Sequence, residues 1–256
     1  MVESISSGAL ALTGQTAIVT GAGMGIGRSI ARCLAAAGAA VAVADRNGGA
    51  AWDCAEELVD RGWEARALVV DVADEIEVLA LVDAVVAWRG GIDLLVNNAG
   101  DSSAVPVLDM TEEDFQRVLE VDLTGVFLCS RSVARHMVER GRGGRIVNVT
   151  STGALHPTAV GMAHHDAAKH GSWGFTRSLA LELAPHGIIV DAIAPGAVAT
   201  PGRSHRGWSG GLHDHVPMRR LAAPGEIAAV THFIASDLAS YLTGSQVVVD
   251  GGALLM

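Results

Sequence analysis

Residues 16–27 read Thr16-Ala17-Ile18-Val19-Thr20-Gly21-Ala22-Gly23-Met24-Gly25-Ile26-Gly27, a short apolar run that passes directly into alternating glycines. The run has no polar face, as a strand covered on both sides of a sheet requires. Helical spacing follows over residues 26–37 and stops at Gly38. A strand, a glycine turn and a helix in that order bring backbone N–H groups to a helix N-terminus, where a pyrophosphate can be bound without any side chain. Glycine strings also serve ordinary turns, so the surrounding sequence has to carry the reading.

That surrounding pattern repeats along the chain. Apolar runs at 40–44, 67–70, 92–96, 145–150, 188–193 and 246–249 alternate with helical spacing at 50–61, 75–88, 111–140 and 162–184, and Pro224-Gly225-Glu226 opens a late helix. Thr111 with Asp114 three residues on forms a variant of the capping box at the start of the 111–140 helix. The alternation predicts an α/β, doubly wound fold with a seven-stranded parallel sheet and its cleft at the strand carboxyl ends. With 256 residues, half of them hydrophobic, the chain fits one domain, 12–256, behind a tail of residues 1–11. Residues 201–217 lack a period and hold His205, Trp208, His213 and His215 among glycines, which predicts a lid loop over the substrate.

Composition narrows the function classes. Eighteen basic residues against 28 acidic ones give a net charge of −10, which argues against nucleic acid and against an anionic membrane surface. Cys33, Cys54 and Cys129 lack metal or redox spacing and imply a reducing compartment without a disulfide framework. Residues 1–11 carry no basic region followed by an apolar core, and no apolar run reaches membrane length, so a cytoplasmic location is expected. His164-His165 and His213-Asp214-His215 are the densest histidine clusters, but adjacent helical residues point apart and the second cluster lies in a loop with no fixed third ligand. No metal is expected.

Asp45 closes the second strand, where a carboxylate can accept hydrogen bonds from both ribose hydroxyls of an adenosine and repel a 2′-phosphate. This favours NAD as cofactor over NADP. Arg46 beside it is the opposing signal, since a guanidinium can hold that phosphate.

With these motifs in hand, the chain from about residue 12 to 252 resembles the short-chain dehydrogenase/reductase family. Thr20-Gly21-x-x-x-Gly25-x-Gly27 matches the family's glycine motif, Asp71-Val72 its adenine-binding pair, and Asn97-Asn98-Ala99-Gly100 the motif after the fourth strand. Pro195-Gly196-x-x-x-Thr200 is similar to the segment that meets the nicotinamide carboxamide, and Asp250-Gly251-Gly252 is expected near a subunit contact. The resemblance implies a Rossmann-type fold, a homotetramer and a small-molecule substrate. It implies that Gly21, Met24, Gly25, Ile26, Gly27, Asp45, Arg46, Asp71, Val72, Asn98, Ala99, Gly100, Lys169, Pro195, Gly196, Val198 and Thr200 bind the cofactor.

The family's usual tetrad is Asn, Ser, Tyr and Lys. Ser151 and Lys169 match its serine and lysine, but His165 stands where the tyrosine is expected and Asp122 where the asparagine is expected. Ala168 and Asp191, in place of a common serine and a common asparagine, read as structural drift. The expected catalytic group is therefore Ser151, His165, Lys169 and Asp122. An imidazole reaches about 2 Å less far from its Cα than a phenol hydroxyl, by bond lengths. A neutral imidazole accepts a proton from an alcohol but donates poorly to a carbonyl, which leans the site toward alcohol oxidation. Three readings stay open: an NAD-dependent oxidoreductase of a secondary alcohol or ketone, a non-redox enzyme (dehydration, isomerisation or cyclisation) with structural NAD, and a catalytically inactive NAD-binding protein.

Overall fold

In the computed structural model, which describes residues 9–201 and 216–256, seven parallel strands form one sheet in the order β3-β2-β1-β4-β5-β6-β7. They are β1 (Thr16–Thr20), β2 (Ala40–Asp45), β3 (Ala65–Val69), β4 (Leu94–Asn97), β5 (Gly144–Val149), β6 (Ile188–Pro195) and β7 (Gln246–Val249). The helices are α1 (Gly25–Ala36), α2 (Gly48–Asp60), α3 (Glu75–Arg89), α4 (Glu112–Leu119), α5 (Gly125–Arg140), α6 (Ala163–Leu183) and α7 (Pro224–Ala235). This is the doubly wound Rossmann-type architecture that the alternation of runs predicts. The expected lid falls almost wholly outside the described residues, as do His205, Trp208, His213 and His215. Among the described residues, no helix is long and apolar enough to cross a membrane.

Successive strand residues point to opposite faces, so each apolar run feeds two cores. Val19, Val43, Val96 and Val147 pack on one face with Ile30 and Leu34 of α1, Leu58 of α2 and Ile227 of α7. Their neighbours Ile18, Ala42, Leu95 and Ile146 pack on the other with Val85 of α3, Leu128 and Met137 of α5 and Ala180 of α6. Each fully buried large side chain contributes about 1.5–3 kcal/mol. The strand order reverses between β1 and β4, and at such a point the loops leaving the sheet diverge and open a crevice. On α2, Glu57 draws in Arg28 and Arg32 of α1 and Arg61; led by the Arg32 hydrogen bond, Arg32 and Arg28 hold its carboxyl down at about 2 against the effect of burial. The helix that opens from the glycine turn is thereby tied to the next.

A buried polar ladder fixes α5 and α6 to the sheet. Asn97 Nδ2 donates to Ser130 Oγ of α5 at 2.9 Å and to Asn148 Oδ1 at 2.8 Å, and Asn148 Nδ2 donates to Thr176 Oγ1 of α6 at 2.9 Å. All four side chains are buried, so each lost bond would leave an unsatisfied partner, at about 1–3 kcal/mol.

Two expectations need correction. The single helix over residues 111–140 is instead α4, a π-helical turn (Glu120–Thr124) and α5. The Thr111 capping box forms as expected, with Asp114 N–H donating to Thr111 Oγ1 at 3.1 Å and Thr111 N–H to Asp114 Oδ2 at 3.2 Å. Further along, Gly125 N–H reaches back to the Glu120 carbonyl, five residues away. A π turn adds a residue to the cycle and so changes which side chain faces inward; the one it buries is Asp122. Apolar spacing on either side is continuous with an ordinary helix, so the sequence does not reveal it.

The second correction concerns Asp191, which is more than drift. It is 1% exposed; Oδ1 accepts from Ser245 N–H at 2.9 Å, and Oδ2 has no hydrogen-bond partner. Burial raises its pKa, with the Ser245 bond and Arg145 only partly opposing. A carboxyl whose pKa is higher folded than unfolded lowers stability as the pH climbs through that interval, because the native state resists the charge. Asp191→Asn keeps the acceptor for Ser245 and removes the charge. It is expected to be more stable than the parent at pH 7 by about 1 kcal/mol, with the gap closing as the pH falls toward 4, measured by urea unfolding at several pH values.

Candidate active site

The glycine turn sits at the carboxyl end of β1, and two features make glycine obligatory there. Gly21 adopts φ 60°, a left-handed conformation. A Cβ on Gly27 would overlap the Gly21 carbonyl oxygen and the Asn98 amide. The turn is clipped from three sides. Gly23 N–H donates to Asp45 Oδ2 at 2.9 Å, and Asn47 N–H donates to Oδ1 of the same carboxylate at 2.9 Å. Asn98 Nδ2 donates to the Thr20 and Gly21 carbonyls at 2.9 and 3.0 Å. The N–H groups of Asn98 and Ala99 both donate to Thr20 Oγ1, at 3.0 and 3.1 Å. Thr20, quoted only as part of the motif, is thus the joint between the turn and β4. The Asn98 amide is committed to bracing the turn.

The other expected cofactor residues lie at or just beyond the carboxyl ends of β1, β2, β3 and β6. Asp45 ends β2 partly exposed, with Arg46 exposed beside it. Met24 is exposed where the turn meets α1, beside Ile26. Asp71 Oδ1 accepts from Ala73 N–H at 3.0 Å, and buried Val72 packs against Gly125. Pro195 and Gly196 follow β6, Val198 is buried and pairs with Ala222, and Thr200 arches back so that a Cβ on Gly25 would lie 3.3 Å from its methyl. At the glycine turn itself the groups on offer are backbone, with the Asp45 carboxylate beside them at the end of β2.

The expected catalytic side chains come from three elements. His165 and Lys169 lie one turn apart on α6, Asp122 comes from the π turn, and Ser151 follows β5. Asp122 is fully buried, and its Oδ2 lies 3.2 Å from Lys169 Nζ and 3.3 Å from His165 Nδ1. These are charge contacts rather than aligned hydrogen bonds, since Oδ2 is otherwise unsatisfied. Oδ1 accepts from Asp101 N–H at 2.6 Å. Burial opposes ionisation of Asp122, but the Lys169 ammonium, His165 and the Asp101 N–H outweigh it and hold the carboxyl below the usual carboxylate range. Gly100 leaves room for this anion: a Cβ there would lie 3.2 Å from Oδ2.

Lys169 Nζ also donates to the Val149 carbonyl at 3.1 Å. His165 Nδ1 lies 3.3 Å from the Asp101 carbonyl as well as from Asp122. Two acceptors at one nitrogen make Nδ1 the protonated position, which leaves Nε2 as an acceptor with no hydrogen bond to any described residue. Ser151 Oγ accepts from Gly153 N–H at 3.0 Å, so its own proton is available. It makes no hydrogen bond to His165 among the described residues. His164 turns away: it is fully buried, and its Nδ1 accepts the His165 N–H in the first turn of α6. Among the described residues, no three His, Cys, Asp or Glu side chains converge as metal ligands.

Sequence reasoning missed Asp101, which reaches both Asp122 and His165 through its backbone, and the Val149 carbonyl. Neither has a side-chain signature, because the contacting atoms are common to every residue. Beside the α6 N-terminus lies a cleft of about 530 Å³ whose lining includes Pro106, Val107, Leu108, Val160 and Ala163, with Asp166 next to His165 in the chain. It is mostly apolar.

The chain is similar to known oxidoreductases along nearly its whole length. A family profile described as enoyl-(acyl carrier protein) reductase matches residues 21–253. The chain is 40% identical over 247 residues to a 3-oxoacyl-[acyl-carrier-protein] reductase of Synechocystis sp., covering 96% of this chain and 99% of that one. It is 39% identical over 246 residues to D-threitol dehydrogenase of Mycolicibacterium smegmatis, covering 94% and 93%. The structure of 7 alpha-hydroxysteroid dehydrogenase complexed with NADH and 7-oxo glycochenodeoxycholic acid superposes with a TM-score of 0.91 at 36% identity, covering 96% and 97%.

The glycine turn gives a direct test of local packing. Gly27→Ala forces its Cβ against backbone, which cannot swing aside as a flexible side chain can. The variant is expected to lose about 1–3 kcal/mol of stability, read as a lower urea midpoint with an unchanged slope.

Proposed function

This chain belongs to the short-chain dehydrogenase/reductase family, and from that premise we propose that it is an NAD-dependent oxidoreductase of a secondary alcohol or ketone on a small metabolite, with His165 as the proton acceptor. One observation carries the reading: the cluster of Asp122, His165 and Lys169, which leaves His165 Nε2 without a protein partner. A buried carboxylate behind an imidazole stabilises the imidazolium that forms when a proton arrives. That arrangement supports proton transfer at Nε2.

The crevice fits a dinucleotide. Gly21 to Gly27 would offer backbone N–H groups to the pyrophosphate, and Asp45 would accept the ribose hydroxyls while keeping its bonds to Gly23 and Asn47, since each carboxylate oxygen has a second lone pair. Asp45 favours NAD over NADP by repelling a 2′-phosphate, and the NADH in the related hydroxysteroid dehydrogenase structure supports the same choice. When bound, NAD supplies the acceptor for the hydride that leaves the alcohol carbon. Ser151 would donate a hydrogen bond to the substrate oxygen, and His165 Nε2 would take the alcohol proton as the carbonyl forms. Asp122 balances the new positive charge. Lys169 offsets the Asp122 charge and, in this reading, would also bind the nicotinamide ribose. In reduction, protonated Nε2 returns the proton. The same resemblance supports a homotetramer.

The test uses purified protein, NAD and a panel of cyclic and acyclic secondary alcohols, followed by nicotinamide absorbance. His165→Ala should lower kcat by about 10²–10⁴-fold with NAD affinity little changed, since the histidine faces substrate. Parent-like turnover in His165→Ala would overturn the assignment of the base. Conversion of substrate with no change in nicotinamide absorbance would replace redox chemistry with a non-redox reaction on the same scaffold.

A further inference from the structure

We propose that Asp101 and Arg117 are positioning residues that set the tautomer and orientation of His165. Asp101 touches the site only through its backbone. Its N–H donates to Asp122 Oδ1 at 2.6 Å, and its carbonyl lies 3.3 Å from His165 Nδ1. One residue therefore holds the carboxylate by one group and the imidazole by another. Nothing in the sheet fixes that residue, because β4 ends at Asn97 and α4 begins at Glu112.

The side chain of Asp101 is what anchors it. Its Oδ1 accepts from Ser103 N–H at 2.8 Å, and its Oδ2 pairs with Arg117 Nε of α4 at 3.3 Å. Burial opposes the charge on Asp101, but Ser103 and Arg117 together hold its carboxyl below the ordinary range. Arg117 is braced in turn: Nη1 donates to Asp114 Oδ1 at 3.0 Å, and Asp114 is the residue that closes the Thr111 capping box. The connection runs Thr111, Asp114, Arg117, Asp101, and then divides to Asp122 and His165. Every link but the last two is a side-chain contact at the edge of solvent.

Such surface pairs add little to stability, so their value lies in geometry. The contact from the Asp101 carbonyl to Nδ1 is already long for a hydrogen bond, and a shift of a few tenths of an ångström would break it. His165 Nδ1 would then keep only the off-axis contact with Asp122, and the proton could move to Nε2. That tautomer presents a donor to the alcohol instead of an acceptor.

The proposal rests on His165 being the base, but its main readout does not. Protein labelled with ¹⁵N-histidine, with His165 assigned by its absence from His165→Ala, should show Nδ1 protonated and Nε2 bare. In Arg117→Ala the two nitrogens should move toward a mixture of tautomers, while Arg117→Lys, which can still pair with Asp101, should keep much of the parent pattern. Asp101→Asn is a second variant that retains the Ser103 bond and loses only the ion pair, and it should shift the tautomers in the same direction. With any secondary alcohol the parent oxidises, Arg117→Ala should lower kcat about tenfold and leave KM within about twofold. A parent-like tautomer pattern and kcat in both Arg117→Ala and Asp101→Asn would overturn the proposal, as would a parent His165 protonated at Nε2. Should His165→Ala keep full turnover while the tautomers still shift, the functional reading fails and the positioning contact stands.

Discussion

A carboxylate with no solvent exposure is the constraint on which the rest of the site turns. Isolated in an apolar interior, the Asp122 charge would be untenable, and the group would take up a proton instead. It stays ionised because α6 delivers Lys169 and His165 to one oxygen and the loop after β4 delivers a backbone N–H to the other. Removing a partner from such a buried set costs about 3–5 kcal/mol, since the charge left behind has no water to turn to. The cluster therefore ties the π turn, the start of α6 and the β4–α4 loop to one another. The Asn97–Asn148–Thr176 ladder also fixes α6 to the sheet.

The crevice beside it follows a different logic. Its wall is made of groups that every residue has, and what distinguishes it is the absence of side chains. Gly27 is excluded from any substitution that adds a Cβ by the Gly21 carbonyl, and Gly21 by its backbone angle. Thr20 and Asn98 hold that wall to β4, so the strand that carries the glycine turn and the strand that leads to Asp101 move as one body. The glycine turn and the charged cluster are thus parts of one rigid rim at the reversal of strand order. The apolar cleft by Pro106 and Val160 opens beside it.

Much of this was legible in the chain itself. Apolar runs without a polar face require a sheet covered on both sides, and their alternation with helical spacing requires parallel crossovers, so the sheet follows from residue order. The glycine turn, Asp45 at the end of β2 and the spacing of His165 and Lys169 on one helix face are likewise local facts. The Asp191 cost was not legible, because the same residue on a partly open strand would have been harmless; its neighbours across the sheet and beneath α7 make it expensive.

Residue order determined the strands, the helices, the glycine turn and the identity of the charged side chains, because hydrophobic period and steric freedom act over a few neighbours. Only the tertiary structure decided that Asp122 faces inward, since a π turn differs from an α turn by one backbone hydrogen bond that no side chain announces. It alone decided that one nitrogen of His165 meets both Asp122 and the Asp101 carbonyl. The atoms responsible, a carbonyl and an N–H, are the same at every position along the chain, and only their placement in space gives them a role.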